Sequence, residues 1–220
     1  HLGDCVEVLA KMESEKIDLT VTSPPYDAIR NYSGKSAPIV DYKIVANELY
    51  RVTKPGGVCV WVVNDQTIKG SESLSSFRQA INFVDAGWRL HDTMIWRKDT
   101  ATMPDKTRYN QVFEYMFIFS KGKPKTFNPL KDRPNKWAGT KIHGTYRGAD
   151  GVAVKRGSEW SSKIIPEFGK RDNVWNIPGE KKNKTGHPAV FPERLVSDHI
   201  QTWSQRDDVV LDPFAGSGTT

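Results

Sequence analysis

Three short apolar runs constrain this chain more than any other feature of it. KIDLTVT (Lys16–Thr22), VCVWVV (Val58–Val63) and DVVL (Asp208–Leu211) are rich in β-branched or aliphatic residues. Each is too short for a helix, and they stop at Ser-Pro-Pro, at Asn64-Asp65 and at Asp212-Pro213, as buried strands do where they reach a loop. Between them lie stretches with apolar residues at helical spacing. DYKIVANELYRVT (Asp41–Thr53) is closed by Lys54-Pro55-Gly56-Gly57, Ser73–Ala86 is followed by Gly87, and Pro192–Ser204 precedes the last strand. Two further extended stretches, Trp88–Trp96 and Val112–Phe119, flank a polar loop from Arg97 to Gln111. Strands alternating with helices imply an α/β fold, a mostly parallel open sheet covered on both faces. The chain contains no internal repeat.

A length of 220 residues suits one such domain with an excursion, not two large domains. Seven Trp and nine Phe among 37% hydrophobic residues indicate a packed core. No apolar run approaches the roughly 20 residues that span a bilayer, and the amino terminus is not built like a secretory signal. A soluble cytoplasmic protein with no membrane partner is expected. Cys5 and Cys59 lack zinc-site spacing and are read as reduced thiols, with no metal implied.

The net charge of +6 is unevenly placed. Residues 121–184 hold 16 Lys and Arg against 6 Asp and Glu, whereas the rest of the chain holds 16 against 20. Periodicity fades in this stretch while Gly, Pro, Lys and Arg accumulate. We therefore divide the chain into 1–120, a basic insertion 121–184 that meets a polyanion, and a return to the main domain over 185–220.

Two loops carry the chemistry. In Thr22-Ser23-Pro24-Pro25-Tyr26 consecutive prolines fix φ and remove backbone donors, so that carbonyls such as that of Pro24 can face a ligand. An aromatic amine holds its lone pair in the ring and is a poor nucleophile. Accepting its two hydrogens at Ser23 Oγ and the Pro24 carbonyl would favour a pyramidal nitrogen with its lone pair free for attack. Tyr26 could stack on the base that carries the amine. Taken by itself the loop is equally compatible with an ordinary Pro-Pro turn and a surface tyrosine. The second loop, DPFAGSGTT (Asp212–Thr220), follows a buried strand, and Gly216 and Gly218 allow close backbone approach to a ligand. No Lys follows the glycines, which disfavours a phosphate-binding P-loop.

Together, TSPPY and DPFAGSGTT resemble the catalytic and S-adenosylmethionine motifs of the DNA amino-methyltransferases, with their Rossmann-like fold. Gly3-Asp4-Cys5, ELYRVTKPGG (Glu48–Gly57), FEYMFIFSKG (Phe113–Gly122), NVWNIP (Asn173–Pro178) and HPAVFPERL (His187–Leu195) extend the resemblance over nearly the whole chain, least over about 127–171. The catalytic motif precedes the cofactor motif, the order of the β class. That order, and Ser rather than Asn at position 23, weigh against the RNA guanine and protein glutamine methyltransferases.

The resemblance implies S-adenosylmethionine as cofactor and double-stranded DNA as partner. Ser23, Pro24, Pro25 and Tyr26 would be catalytic. Thr22, Asp212, Pro213, Phe214, Gly216, Gly218 and Thr219 would surround the cofactor, with His187, Pro188, Ala189 and Phe191 along its methionine and Asp4 and Cys5 near its adenine. Lys131, Arg133, Lys136, Arg147, Lys155 and Arg156 of the insertion are candidate phosphate or base contacts, and so are Arg30 and Tyr32 beside the catalytic loop. A paired restriction endonuclease and a homodimer are further expected partners. In the family the glycine loop opens a helix and then a strand ending in an acidic residue that holds the ribose; neither lies within these 220 residues, so weak cofactor binding by this chain alone is expected. Serine at position 23 favours cytosine N4 over adenine N6. Methylation at ring carbon 5 would need a cysteine nucleophile in a suitable loop, and neither cysteine is so placed. Alternatives outside DNA catalysis are a non-catalytic nucleic-acid-binding module and an RNA methyltransferase.

Overall fold

A computed structural model describes residues 3–25, 31–32, 35–36, 40–99, 106–142, 144–155, 157, 160, 163–179, 192–216, 218 and 220. The central sheet is built from β1 (Ile17–Thr22), β2 (Thr53–Val63), β3 (Arg89–Arg97), β4 (Phe113–Ser120), β5 (Val174–Asn176) and β6 (Val210–Leu211). Their spatial order is β5-β3-β4-β2-β1-β6. β4 runs antiparallel to both its neighbours, while β5–β3, β2–β1 and β1–β6 are parallel pairs. The sheet is thus mostly parallel, as the alternating pattern implies, with one reversed strand. Every residue of β1 is buried, which is what a central strand covered on both faces requires.

The helices are α1 (Cys5–Lys11), α2 (Tyr42–Val52), α3 (Ser75–Asp85) and α4 (Glu193–Trp203). Asp4 and Asp41 start the first two by accepting hydrogen bonds from Val6 and Glu7, and from Lys43 and Ile44. Carboxylates suit these positions because the first turn of a helix leaves amide donors unpaired. α3 has no side-chain cap of its own; Asp65, just past β2, instead accepts the amide of Ser76 at 3.0 Å and its hydroxyl at 2.5 Å. α1, α2 and α3 share a core with Cys59, Trp61, Val63, Phe117 and Phe119 on one face of the sheet. Met116 alternates with Phe117 and so points the other way, where its sulfur lies 3.3 Å from His199 of α4, itself stacked on Trp175.

One expected boundary moves. Lys54-Pro55-Gly56-Gly57 does not close α2 as a loop but lies within β2, where the pairing with β1 shifts register between Ile17 and Leu19. Gly56 adopts φ +79° and its amide donates to the Lys121 carbonyl at 2.7 Å. A Cβ at Gly57 would sit 2.5 Å from Thr53 Cγ2 and 2.9 Å from the Asp18 carbonyl, so only glycine lets the two strands approach.

That end of the sheet is tied by Asp18, 1% exposed in β1. Its carboxylate takes Lys54 Nζ at 2.6 Å, Lys125 Nζ, and the Val209 amide at 2.9 Å, and Lys125 also reaches Asp208 at 3.0 Å. Burial pushes the Asp18 carboxyl up, but Lys125, Lys54 and the Val209 amide outweigh it and hold the group at about 2.

A second compact unit spans Pro129–Asp172. It contains the antiparallel pairs Thr145–Arg147 with Ala153–Lys155 and Arg133–Pro134 with Phe168–Gly169. Its limits fall inside the expected 121–184. Lys121 donates to the Tyr50 and Thr53 carbonyls, Asn128 bonds Thr202, and β5 pairs with β3, so both flanks belong to the main unit. No helix among the described residues is long and apolar enough to cross a membrane.

Candidate active site

β1 and β6 lie side by side, with Thr20 opposite Leu211, so the loops that follow them begin at neighbouring strand ends. Thr22 Oγ donates to Asp212 Oδ1 at 2.5 Å, and the Phe214 amide donates to the same oxygen at 3.0 Å. This carboxylate therefore joins the serine-proline-proline corner to the glycine turn. Carboxyl ends of adjacent parallel strands are where open α/β sheets place ligands.

Ser23 and Pro25 are half-buried and Pro24 is buried. The Tyr42 hydroxyl, at the start of α2, donates to the Pro25 carbonyl at 2.5 Å. The Tyr42 ring meets Trp61 edge-on at 6.1 Å, and Trp61 meets Phe214 edge-on at 6.0 Å. An aromatic column thus runs from the corner to the glycine turn. Trp61 is anchored by its indole N–H to Gln79 Oε1 at 2.8 Å. Sequence patterning does not single out Tyr42 or Trp61, which read only as core positions; the signal available was a tyrosine immediately after a helix-capping aspartate.

The glycine turn suits a ligand that lies against backbone. Gly216 and Gly218 adopt φ +52° and +78°, which side-chain-bearing residues rarely take. A Cβ at Gly218 would meet nothing within 4 Å, so space is open on that side. The Asp212 side chain, the Thr22 hydroxyl and the Phe214 ring supply polar and apolar surface beside it. The residues present fit the amino-acid part of an S-adenosyl group. Pro213 is half-buried in the same turn. Asp4 is exposed and uses Oδ1 to cap α1. Cys5 is half-buried, and burial, then the Asp4 charge, push its thiol up.

In the second unit Lys131, Arg133, Lys136, Arg147 and Lys155 are all exposed. Arg133 pairs with Asp172 at 3.3 Å, and Lys136 lies over the Trp137 ring. Exposed Trp137, Tyr146 and Trp160 are interleaved with these cations, a feature that charge counting misses. Tyr32 falls in a two-residue strand opposite Lys35. Tyr26, Arg30, Arg156, His187, Pro188, Ala189, Phe191 and Thr219 lie outside the described residues.

A mostly parallel sheet whose catalytic-type corner and glycine turn share one carboxylate defines the Rossmann-like methyltransferase class. The family model described as DNA methylase matches residues 17–220, and the chain belongs to that family, the S-adenosylmethionine-dependent β-class amino-methyltransferases. It is 54% identical over 228 residues to the orphan methyltransferase M.BamHII of Bacillus amyloliquefaciens, covering 100% of this chain and 80% of that protein. Among solved structures, a DNA modification methylase of Thermus thermophilus, complexed with S-adenosyl-L-methionine, is 26% identical with a TM-score of 0.59, covering 100% of this chain and 81% of the other. The cytosine-N4-specific PvuII DNA methyltransferase shares the fold, with a TM-score of 0.67 at 22% identity over 100% of this chain and 75% of the other.

Proposed function

We propose that this chain methylates the exocyclic amine of a base extruded from double-stranded DNA, with cytosine N4 as the target. The reading is carried by the Thr22–Asp212 hydrogen bond, which holds the acceptor corner beside the glycine turn. S-adenosylmethionine, when bound, supplies the electrophilic methyl group. The protein contributes position and polarity. Ser23 Oγ and the Pro24 carbonyl would accept the two amine hydrogens, weakening conjugation of the nitrogen with the ring and aiming its lone pair outward. Asp212 and the Gly216–Gly218 turn would orient the donor, and Tyr26 would stack on the base, offsetting part of the few kcal/mol that extrusion costs. Lys131, Arg133, Lys136, Arg147, Lys155 and Arg156 would meet the phosphate backbone or base edges, with Arg30 and Tyr32 nearer the extruded base. His187, Pro188, Ala189 and Phe191 would flank the donor's methionine, with Asp4 and Cys5 toward its adenine. A neutral serine in place of the commoner aspartate favours cytosine.

The test is to map modified bases in DNA from cells expressing the intact gene. N4-methylcytosine at one recurring sequence, abolished by Ser23→Ala, is the expected result. N6-methyladenine would overturn the base assignment alone. Labelling of RNA in preference to DNA, or retention on DNA without any transfer, would overturn the proposal.

A further inference from the structure

On the proposed reading, in which the target base leaves the duplex, we infer that Tyr109 enters the DNA and stacks in the vacancy left behind. Tyr109 is 103% exposed, so no part of the fold covers its ring. Exposure of one aromatic is ordinary by itself; the setting of this one is not. β1 and β2 end at the same edge of the sheet, with Thr22 opposite Trp61, and antiparallel β4 begins there, with Tyr115 opposite Val63. The corner that follows β1 and the segment Arg108–Val112 that leads into β4 are therefore two strand spacings apart, about 10 Å. An extruded nucleotide stays tied to its own phosphates, so the gap it leaves lies within a nucleotide's length of the corner.

The segment is tied down on both sides of the tyrosine. Asn64 Nδ2, just past β2, donates to the Phe113 carbonyl at 3.3 Å. The Arg108 guanidinium donates to the Gly70 carbonyl and pairs with Glu72 at 3.7 Å. Gly70 belongs to the two-residue turn of a hairpin in which Thr67-Ile68 pairs with Ser71-Glu72. Lys69 and Gly70 take φ +48° and +80°, the pair of positive values that reverses two strands most tightly. The backbone of Tyr109 is thus placed before DNA arrives, which lowers the cost of ordering it on binding. Charge selects the occupant. Lys69 at the hairpin tip and Lys106 are exposed and unpaired among the described residues, while Glu72 is taken by Arg108 and Asp65 by Ser73 and Ser76. A bare ring flanked by free cations is built to stack on bases while phosphates lie beside it. Tyr26 would meet the target base after it leaves; Tyr109 meets that base's former neighbours and keeps the gap from reclosing.

Single-turnover methyl transfer at saturating DNA tests this, on a duplex carrying the mapped methylation site and on the same duplex with the target base mismatched. Tyr109→Ala, at a site where folding is not at stake, should transfer at least about tenfold more slowly than wild type to the paired duplex, with melting unchanged. On the mismatched duplex the base is already unpaired and extrusion costs less, so the variant should come within about twofold of wild type. Tyr109→Trp should keep the wild-type rate on both. An undiminished rate of Tyr109→Ala on the paired duplex overturns the inference, as does an equal loss on the two duplexes, which would place Tyr109 outside the extrusion step. A wild-type protein that transfers no methyl group to either duplex overturns the proposed function, and the role of Tyr109 falls with it.

Discussion

Replacing Asp18 by asparagine removes the charge that Lys54 and Lys125 share while keeping an oxygen for the Val209 amide. The carboxyl sits at about 2 in the fold against an ordinary 3.8. That difference is worth about 2 kcal/mol at neutral pH. Both lysine heads remain in contact with water, so the figure is not doubled by counting their side of the pairs. Because the carboxyl is depressed, its contribution is complete above 3.8 and disappears as pH falls through about 2. Asp18→Asn should therefore be about 2 kcal/mol less stable than wild type at pH 7, a fall in Tm of roughly 4–8 °C for a chain of this size. The gap should hold to about pH 5 and close toward pH 2, where the wild-type carboxyl is itself neutral. Urea titrations of both proteins at about pH 7, 5, 4 and 3 measure it. A gap of equal size at the two ends of that series would refute the electrostatic account, and a gap near zero at neutral pH would show that the two lysines lose nothing when the charge is removed.

Tyr42→Phe deletes the hydrogen bond to the Pro25 carbonyl but keeps the ring against Trp61; methyl transfer should fall about two- to tenfold with melting nearly unchanged, as single-turnover rates and calorimetry would show. Asp212→Ala leaves the Thr22 hydroxyl and the Phe214 amide without their acceptor and should weaken S-adenosylmethionine binding by about tenfold or more, read by calorimetry. Trp61→Phe strands the Gln79 amide oxygen in the core and should cost about 1–3 kcal/mol in urea unfolding. Lys131→Ala and Arg147→Ala should each lower the slope of log affinity for duplex DNA against log salt by about 1 if the residue meets a phosphate; an unchanged slope assigns it to the solvated surface.

The sheet was legible wherever a strand is long and buried. VCVWVV and KIDLTVT announce β2 and β1 because their apolar content serves two covered faces. Direction was not legible: FEYMFIFS reads as a strand from its composition, but nothing in it reveals that β4 runs against its neighbours, since side-chain alternation is the same either way. β5 has only three residues, and a strand that short gives no periodicity to read. The two loops of the site were legible because Pro-Pro and Gly-x-Gly restrict or free the backbone locally. Their bridging through Thr22 and Asp212, 190 residues apart, depends on strand order, which sequence spacing does not encode. Asp18 was invisible for the same reason. A lone aspartate in a strand becomes intelligible only when Lys125 arrives from beyond β4.

The unit from Pro129 to Asp172 is continuous in the chain, and its mouth is closed from within. The Arg171 amide donates to the Leu130 carbonyl, and the Arg171 guanidinium clamps Asp132. A segment that leaves and re-enters at one knotted-off point can be traded between genes as a cassette, by one crossover on each side, without rethreading a single strand of the sheet. An insertion or deletion between Asp132 and Arg171 would accordingly leave the strand that leads into the corner at Ser23 unshifted.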